Sequence, residues 1–407
     1  MNNLLVAQSG GPTAAINATV VGVLLNAYSS NQVDEVFGAI NGIQGVLDEH
    51  FVKLRDKIKS PEDFQLLEQT PAAALGSCRL KLKDLDKDRE QFQHIIEIFR
   101  KYEIKYFIYI GGNDSMDTVD KLSQYCSQNQ ITDITVVGAP KTIDNDLVGT
   151  DHCPGFGSAA KYIGITFAEL AKDCHVYAMK AVTIVEVMGR NAGWLTAASA
   201  LARIGGKPGP DLIYLCEADF DQDKFILDVK AKLETKNDVL IAISEGIKDK
   251  NGQYISEQVQ SGAVDAFGHS YISGSAKMLE ALVREAIGCK VRTIELSLLQ
   301  RCAGHIASAI DIQESKMLGM KACQCAVEGK SGMMASITRT NSKPYEISIT
   351  AVPVNKVSNL EKKVPMSYMN EECNDVTQEM MDYLVPLIQG ENSVLYEDGI
   401  PRYSNLY

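Results

Sequence analysis

Two carboxylates two positions apart, Asp144 and Asp146, follow Lys141 and Thr142 in the stretch Ala139-Pro140-Lys141-Thr142-Ile143-Asp144-Asn145-Asp146. A carboxylate in such a group can take a proton from a hydroxyl while the neighbouring ammonium steadies developing negative charge. The plain alternative is an Asx-turn carrying surface charges. The stretch follows an apolar run and lacks the glycine of a mere turn, which favours chemistry. Two glycine pairs point the same way. Ser9-Gly10-Gly11-Pro12 and Ile110-Gly111-Gly112-Asn113-Asp114-Ser115 each join an apolar run to a helical pattern. Glycines there allow a tight turn, Pro12 suits a first helical position, and a helix start offers amides to an anion. Either turn alone reads equally as a simple strand-to-helix connection, with Asp114 or Ser115 as the cap. Neither is a P-loop or a GxGxxG fingerprint. Further on, Arg190 in Glu186-Val187-Met188-Gly189-Arg190 opens a helical pattern, which opposes the helix dipole unless an anion sits there. Glu245 ends an apolar strand, and Arg292 and Arg301 flank another, with guanidinium forks suited to phosphate.

These residues need elements to hold them at one place. Short β-branched runs at 4–7, 106–110, 134–137, 181–187, 212–215 and 239–243 read as strands buried on both faces. Helical patterns lie between them at 14–28, 92–102, 115–127, 158–174, 192–203 and 276–287. That alternation predicts an α/β fold with mostly parallel sheets and right-handed crossovers. Strands before and after about residue 140 suggest two similar lobes, each a mostly parallel sheet flanked by helices, facing across a cleft that holds the active site. Runs at 291–299 and 346–353 read as later strands returning to the first lobe. The predicted division is 1–155 with about 300–370 in one lobe, and about 156–299 with about 371–407 in the other.

The chain has 407 residues, 45% of them hydrophobic, and a formal charge of −12. That length can bury a large core, and that charge opposes nucleic acid as a partner. A phosphate ligand would need a site built locally from basic residues and amides. The ten cysteines are scattered without a CxxC pair, which fits reduced thiols in a cytoplasmic protein. Residues 1–33 carry no charged side chain, yet Gly10-Gly11-Pro12 interrupts the first apolar run and the next is too short to span a bilayer. No membrane association is expected. The charge run KLKDLDKDRE ending at Glu90 reads as a solvated face.

Taken together the sequence resembles the phosphofructokinase family. SGGPTAAINA, GGNDS, PKTIDND, PGFGSAAKY, VEVMGRNAGWL, AISEG and LLQR follow in the family's order and spacing over about three quarters of the chain. The resemblance implies a phosphoryl donor on the first lobe, fructose 6-phosphate bridging both, and Mg²⁺. It makes Asp144 the base for the sugar 1-hydroxyl, places Thr142 on the transferred phosphoryl group, and gives Asp146 a supporting role. Gly11, Arg79, Gly112, Asp114 and Lys141 fall at the donor phosphates. Met188, Gly189, Arg190, Glu245 and Arg301 fall at the sugar phosphate, and Arg292 where a neighbouring subunit reaches it, which implies a homodimer or homotetramer.

Family members that use ATP resemble GGDGS and PGTIDND, whereas Asp114 and Lys141 resemble the pyrophosphate-dependent branch. A carboxylate about 4 Å from a phosphate charge, at an effective dielectric of ~20, costs roughly 4 kcal/mol. Asp114 would thus oppose the α-phosphate of ATP while Lys141 favours compact pyrophosphate, and the two are candidates to pair with each other. Asn113 stands where ATP users carry a metal-linked Asp, which leaves Mg²⁺ to the Asn113 amide oxygen, water or Asp114. Leu298 and Ala181 also depart from relatives. The expected activity is reversible phosphoryl transfer between pyrophosphate and fructose 6-phosphate. The alternatives are an ATP-dependent enzyme of the family, a non-catalytic regulatory subunit, and an NAD-binding protein, the last lacking its glycine fingerprint.

Overall fold

The computed structural model describes residues 1–176, 178–258 and 274–407. Eleven strands build two sheets: β1 (Asn3–Gln8), β2 (Val36–Ala39), β3 (Phe51–Lys53), β4 (Ile104–Gly111), β5 (Thr135–Pro140), β6 (Ala181–Val187), β7 (Leu212–Tyr214), β8 (Asp238–Ser244), β9 (Lys290–Glu295), β10 (Met333–Ser342) and β11 (Tyr345–Pro353). The first sheet runs β11-β10-β5-β4-β1-β2-β3, parallel except at its two edge pairs, and the second runs β7-β8-β6-β9, parallel throughout. This is the expected α/β architecture of two sheet-centred lobes.

The continuous apolar runs are explained by burial on both faces. Leu4 and Val6 of β1 enter one core with Tyr106, Ile108 and Ile110 of β4, while Leu5 and Ala7 enter another with Phe107 and Tyr109. In the second lobe Val185 and Val187 face one core, and Val182 and Ile184 the other.

Several expectations are corrected. The first helix is Ile16–Ser29, and Pro12 lies before it rather than at its first position. Thr13 does the capping, its hydroxyl oxygen accepting from the amides of Ala15 and Ile16 at 3.1 and 2.9 Å. The span 192–203 is a single α-turn, Trp194–Ala197, followed by a 3₁₀ stretch, Ala198–Arg203, shaped by packing against the helix Phe156–Cys174. The run beginning at 291 stays in the second sheet as β9 beside β6, and only β11 joins the first. A parallel strand whose crossover helix Ser275–Ile287 packs on β9 and β6 has its neighbours already chosen. The last residues also differ from their predicted lobe. Met380, Tyr383, Leu384 and Leu387 pack with the second lobe, but Leu406 enters a first-lobe core, and Gln69 donates to the carbonyls of Leu395 and Arg402.

Candidate active site

One wall of the site is built from the turns after β1 and β4. Gly10 takes a φ of +77°, and a Cβ there would lie 3.2 Å from the Lys141 Nζ. Glycine is therefore what lets the lysine reach underneath this turn. Ser77 Oγ closes the turn by donating to the Gly10 carbonyl at 2.6 Å. After β4, Gly112 caps the helix Asn113–Gln128, and residues 112–115 line the same cleft.

The loop after β5 carries the carboxylates between these turns. Lys141 is 2% exposed, donates from Nζ to the Gly11 carbonyl at 2.5 Å and from its amide to the Gly111 carbonyl at 2.9 Å. It thus ties both glycine turns to the carboxylate loop. Burial pulls its pKa down to about 8, against the opposing pull of Asp144 and Asp146. Thr142 Oγ1 accepts the Asp144 amide at 3.1 Å, and Asn145 adopts a left-handed φ of +56°. Asparagine tolerates that conformation, and its side chain is anchored by Tyr383 at 2.7 Å and by the Cys153 amide at 3.0 Å. Burial raises the pKa of Asp144, with Asp146 and Glu245 adding like-charge repulsion against Lys141 and Arg301. Burial also raises that of Asp146, partly offset by hydrogen bonds that include Thr142. Both side chains remain half-open to the cleft, so water tempers these shifts until ligand fills it. Asp146 Oδ1 is buried with no hydrogen-bond partner among the described residues.

The facing wall comes from the second lobe. The Met188 amide donates to Gln300 Oε1 at 3.2 Å, and the Gly189 amide to Glu245 Oε1 at 3.3 Å. Burial raises the Glu245 pKa despite that amide and Arg190. Gly246 permits the close approach of this turn, since a Cβ there would sit 1.9 Å from the Arg190 carbonyl oxygen. Arg301 is partly buried, and its pKa is lowered by burial and by neighbouring Arg79. Cations drawn together in a chain of −12 are stabilised when an anion sits among them.

A cavity of about 700 Å³ joins these walls, lined by Gly11, Arg79, Gly112, Asn113, Asp114, Lys141, Thr142, Asp144, Asp146, Met188, Arg190, Glu245 and Arg301. Of the residues singled out in the sequence, Gly189 contributes through its backbone, and Arg292 does not line the cavity. Arg292 lies half-buried on β9, near the Cys174 thiol.

One expected pairing differs. Asp114 pairs with Lys81 at 3.1 Å, both side chains nearly half exposed, rather than with Lys141. Lys81 belongs to the run read as a solvated face, so that run reaches the cavity wall at Asp114. The Asn113 amide is engaged on both sides, accepting the Asn359 N–H at 2.5 Å and donating to the Leu360 carbonyl at 2.6 Å. Asn113 thus anchors the 359–360 loop, with one lone pair of its amide oxygen taken by Asn359. No cluster of three His, Cys, Asp or Glu able to hold a metal occurs among the described residues. The sequence reading also missed Asn191 and residues 359–361, which complete the cavity. Nothing in Asn359-Leu360-Glu361 marks them, because their partners lie far away in the chain.

A family profile described as "Phosphofructokinase" matches residues 3–326. The chain is 40% identical over 407 residues to the pyrophosphate–fructose 6-phosphate 1-phosphotransferase of Xanthomonas campestris, covering 99% of this chain and 96% of that one. It is 38% identical over 408 residues to the protein of the same name from Halomonas elongata, covering 100% and 96%. Among solved structures, the pyrophosphate-dependent phosphofructokinase of Nitrosospira multiformis superposes with a TM-score of 0.89 at 35% identity, covering 100% of this chain and 96% of that one.

Proposed function

The chain belongs to the phosphofructokinase family, and we propose that it moves a phosphoryl group from pyrophosphate to the 1-hydroxyl of fructose 6-phosphate. The products are fructose 1,6-bisphosphate and phosphate. The observation that carries this reading is the placement of Asp144 in one cavity with Lys141, tied to both donor turns, and with Arg190, Glu245 and Arg301 on the facing wall.

Asp144 takes the proton as the sugar oxygen bonds to the terminal phosphorus. The bond from that phosphorus to the leaving phosphate breaks. A carboxylate with a raised pKa is well matched to this task near neutrality, and in the reverse direction it returns the proton. Lys141, Arg79 and Arg301 offset charge on the phosphoryl oxygens, and Thr142 lies beside Asp144 to contact the group in transfer. Glu245 and Arg190 hold the sugar phosphate end with Met188 and Gly189. Asp114 and Lys141 line the donor end, where the ATP-using pattern has glycines, which favours the small diphosphate over a nucleotide.

Mg²⁺ would fit the buried, unpartnered oxygen of Asp146, and the Asn113 amide oxygen keeps a second lone pair beside its contact with Asn359. Such an ion supplies neutralisation of phosphate charge. Arg292, outside the cavity of its own chain, suits a homo-oligomer in which it reaches a neighbour's sugar site. The ten unpaired cysteines accord with a cytoplasmic setting, and no helix among the described residues is long and apolar enough to cross a membrane.

The test is fructose 1,6-bisphosphate formation from fructose 6-phosphate with pyrophosphate or ATP as sole donor. Product with pyrophosphate, and little with ATP, is expected. Turnover with ATP alone would reverse the donor assignment.

A further inference from the structure

Residues 359–362 cross from the donor turn to the sugar-phosphate wall and touch the catalytic loop on the way. Asn359 and Leu360 are pinned by Asn113. Glu361 forms a β-bridge with Leu147 and accepts from Asn191 Nδ2 at 2.9 Å. The Lys362 amide donates to the Asp146 carbonyl at 2.7 Å, and its own carbonyl accepts from Trp194 Nε1 at 3.0 Å. The Lys362 side chain then turns under the loop. Its Nζ donates to the carbonyls of Asp151 at 2.7 Å and Thr150 at 3.3 Å, and lies 3.4 Å from Asn145 Oδ1. The Trp194 ring covers it at 5.3 Å. All three acceptors belong to the segment that begins at the left-handed Asn145, between the two carboxylates.

We propose that Lys362 is a positioning residue for phosphoryl transfer, its ammonium clasped inside the 145–151 bend to fix the turn flanked by Asp144 and Asp146. The proposal rests on the phosphotransfer reading above. A half-buried amine bonded to two backbone carbonyls is a costly way to fill space, since an apolar side chain would need no partners. It gains its purpose from the loop it holds.

The experiment compares Lys362→Met, Lys362→Gln and Lys362→Arg with the wild type, folding checked by thermal melting, with pyrophosphate and fructose 6-phosphate as substrates. Lys362→Met and Lys362→Gln are expected to lose about 10- to 100-fold in kcat, with either KM changed less than about threefold. Lys362→Arg should recover kcat to within about threefold of the wild type. A purely structural role would lower the melting temperature while the folded enzyme kept its kcat. Folded Met and Gln variants with near wild-type kcat overturn the proposal. So does failure of all three to fold, which would make Lys362 a support of the whole lobe. Absence of turnover in the wild type would instead strike the phosphotransfer reading.

Discussion

Lys141 is the most strongly perturbed cation of the site, and its perturbation has a measurable consequence. Its ammonium is 2% exposed and bonded to the Gly11 carbonyl at 2.5 Å. Burial takes its pKa from 10.5 to about 8. That difference corresponds to about 3 kcal/mol, the net cost of keeping the amine charged after Asp144 and Asp146 have offset part of its burial. Pyrophosphate would supply the anion, so its binding recovers up to that amount, on the order of a hundredfold in affinity. The sign follows directly. Below about pH 8 Lys141 is charged and attracts the donor, whereas above it the amine is neutral and the attraction is lost. With fructose 6-phosphate saturating, kcat/KM for pyrophosphate should therefore fall about tenfold per pH unit on the alkaline side. Lys141→Met should lose about 100-fold at pH 7 and should lack the limb that belongs to the lysine. Any alkaline limb caused by ionisation of the donor itself would remain in both enzymes. The reasoning is refuted if the wild-type limb persists unchanged in Lys141→Met, or if that variant stays within about threefold of wild type.

Asp114 carries a smaller effect than its sequence position implies. It is 45% exposed and paired with Lys81 at 3.1 Å, so its repulsion of a phosphate falls from the roughly 4 kcal/mol at an effective dielectric of ~20 toward the about 1 kcal/mol of bulk water. Asp114→Gly should raise kcat/KM for ATP by about fivefold only, read by product formation with ATP as donor, and a gain of a hundredfold or more would mean that Asp114 alone sets donor choice. For the subunit arrangement, mixing Arg292→Ala chains with Asp144→Asn chains should recover activity, because mixed oligomers then contain one complete site. Recovery should be absent when exchange is blocked, and its absence despite demonstrated exchange would remove Arg292 from the neighbouring site.

The sheets were largely legible because strands buried on both faces read as continuous apolar runs, as in β1, β4, β6 and β8. Short β2 and β3 escaped because four and three residues carry too little pattern to separate a strand from a turn. The carboxylate loop and both glycine turns stood out from residue type and spacing, and the structure brings them to one cavity. Residues 359–362 could not be read this way. Asn359 meets Asn113 across 246 positions and Lys362 meets Asp151 across 211, so their roles exist only once the chain is folded. The Asp114–Lys81 pair was hidden for the opposite reason. Charges are plentiful in that run, and sequence alone does not say which one turns inward.

The claim on which the account depends most is that Asp144 is the base. Asp144→Asn keeps the shape of the side chain and removes the proton acceptor, and the Thr142 bond to its amide is untouched because that bond is made by the backbone. Steady-state rates should be measured in both directions, with KM determined for pyrophosphate and fructose 6-phosphate. The account predicts a fall in kcat of about 10²–10⁴-fold in each direction, with each KM within about threefold of wild type. Turnover near the wild-type rate in both directions would contradict it.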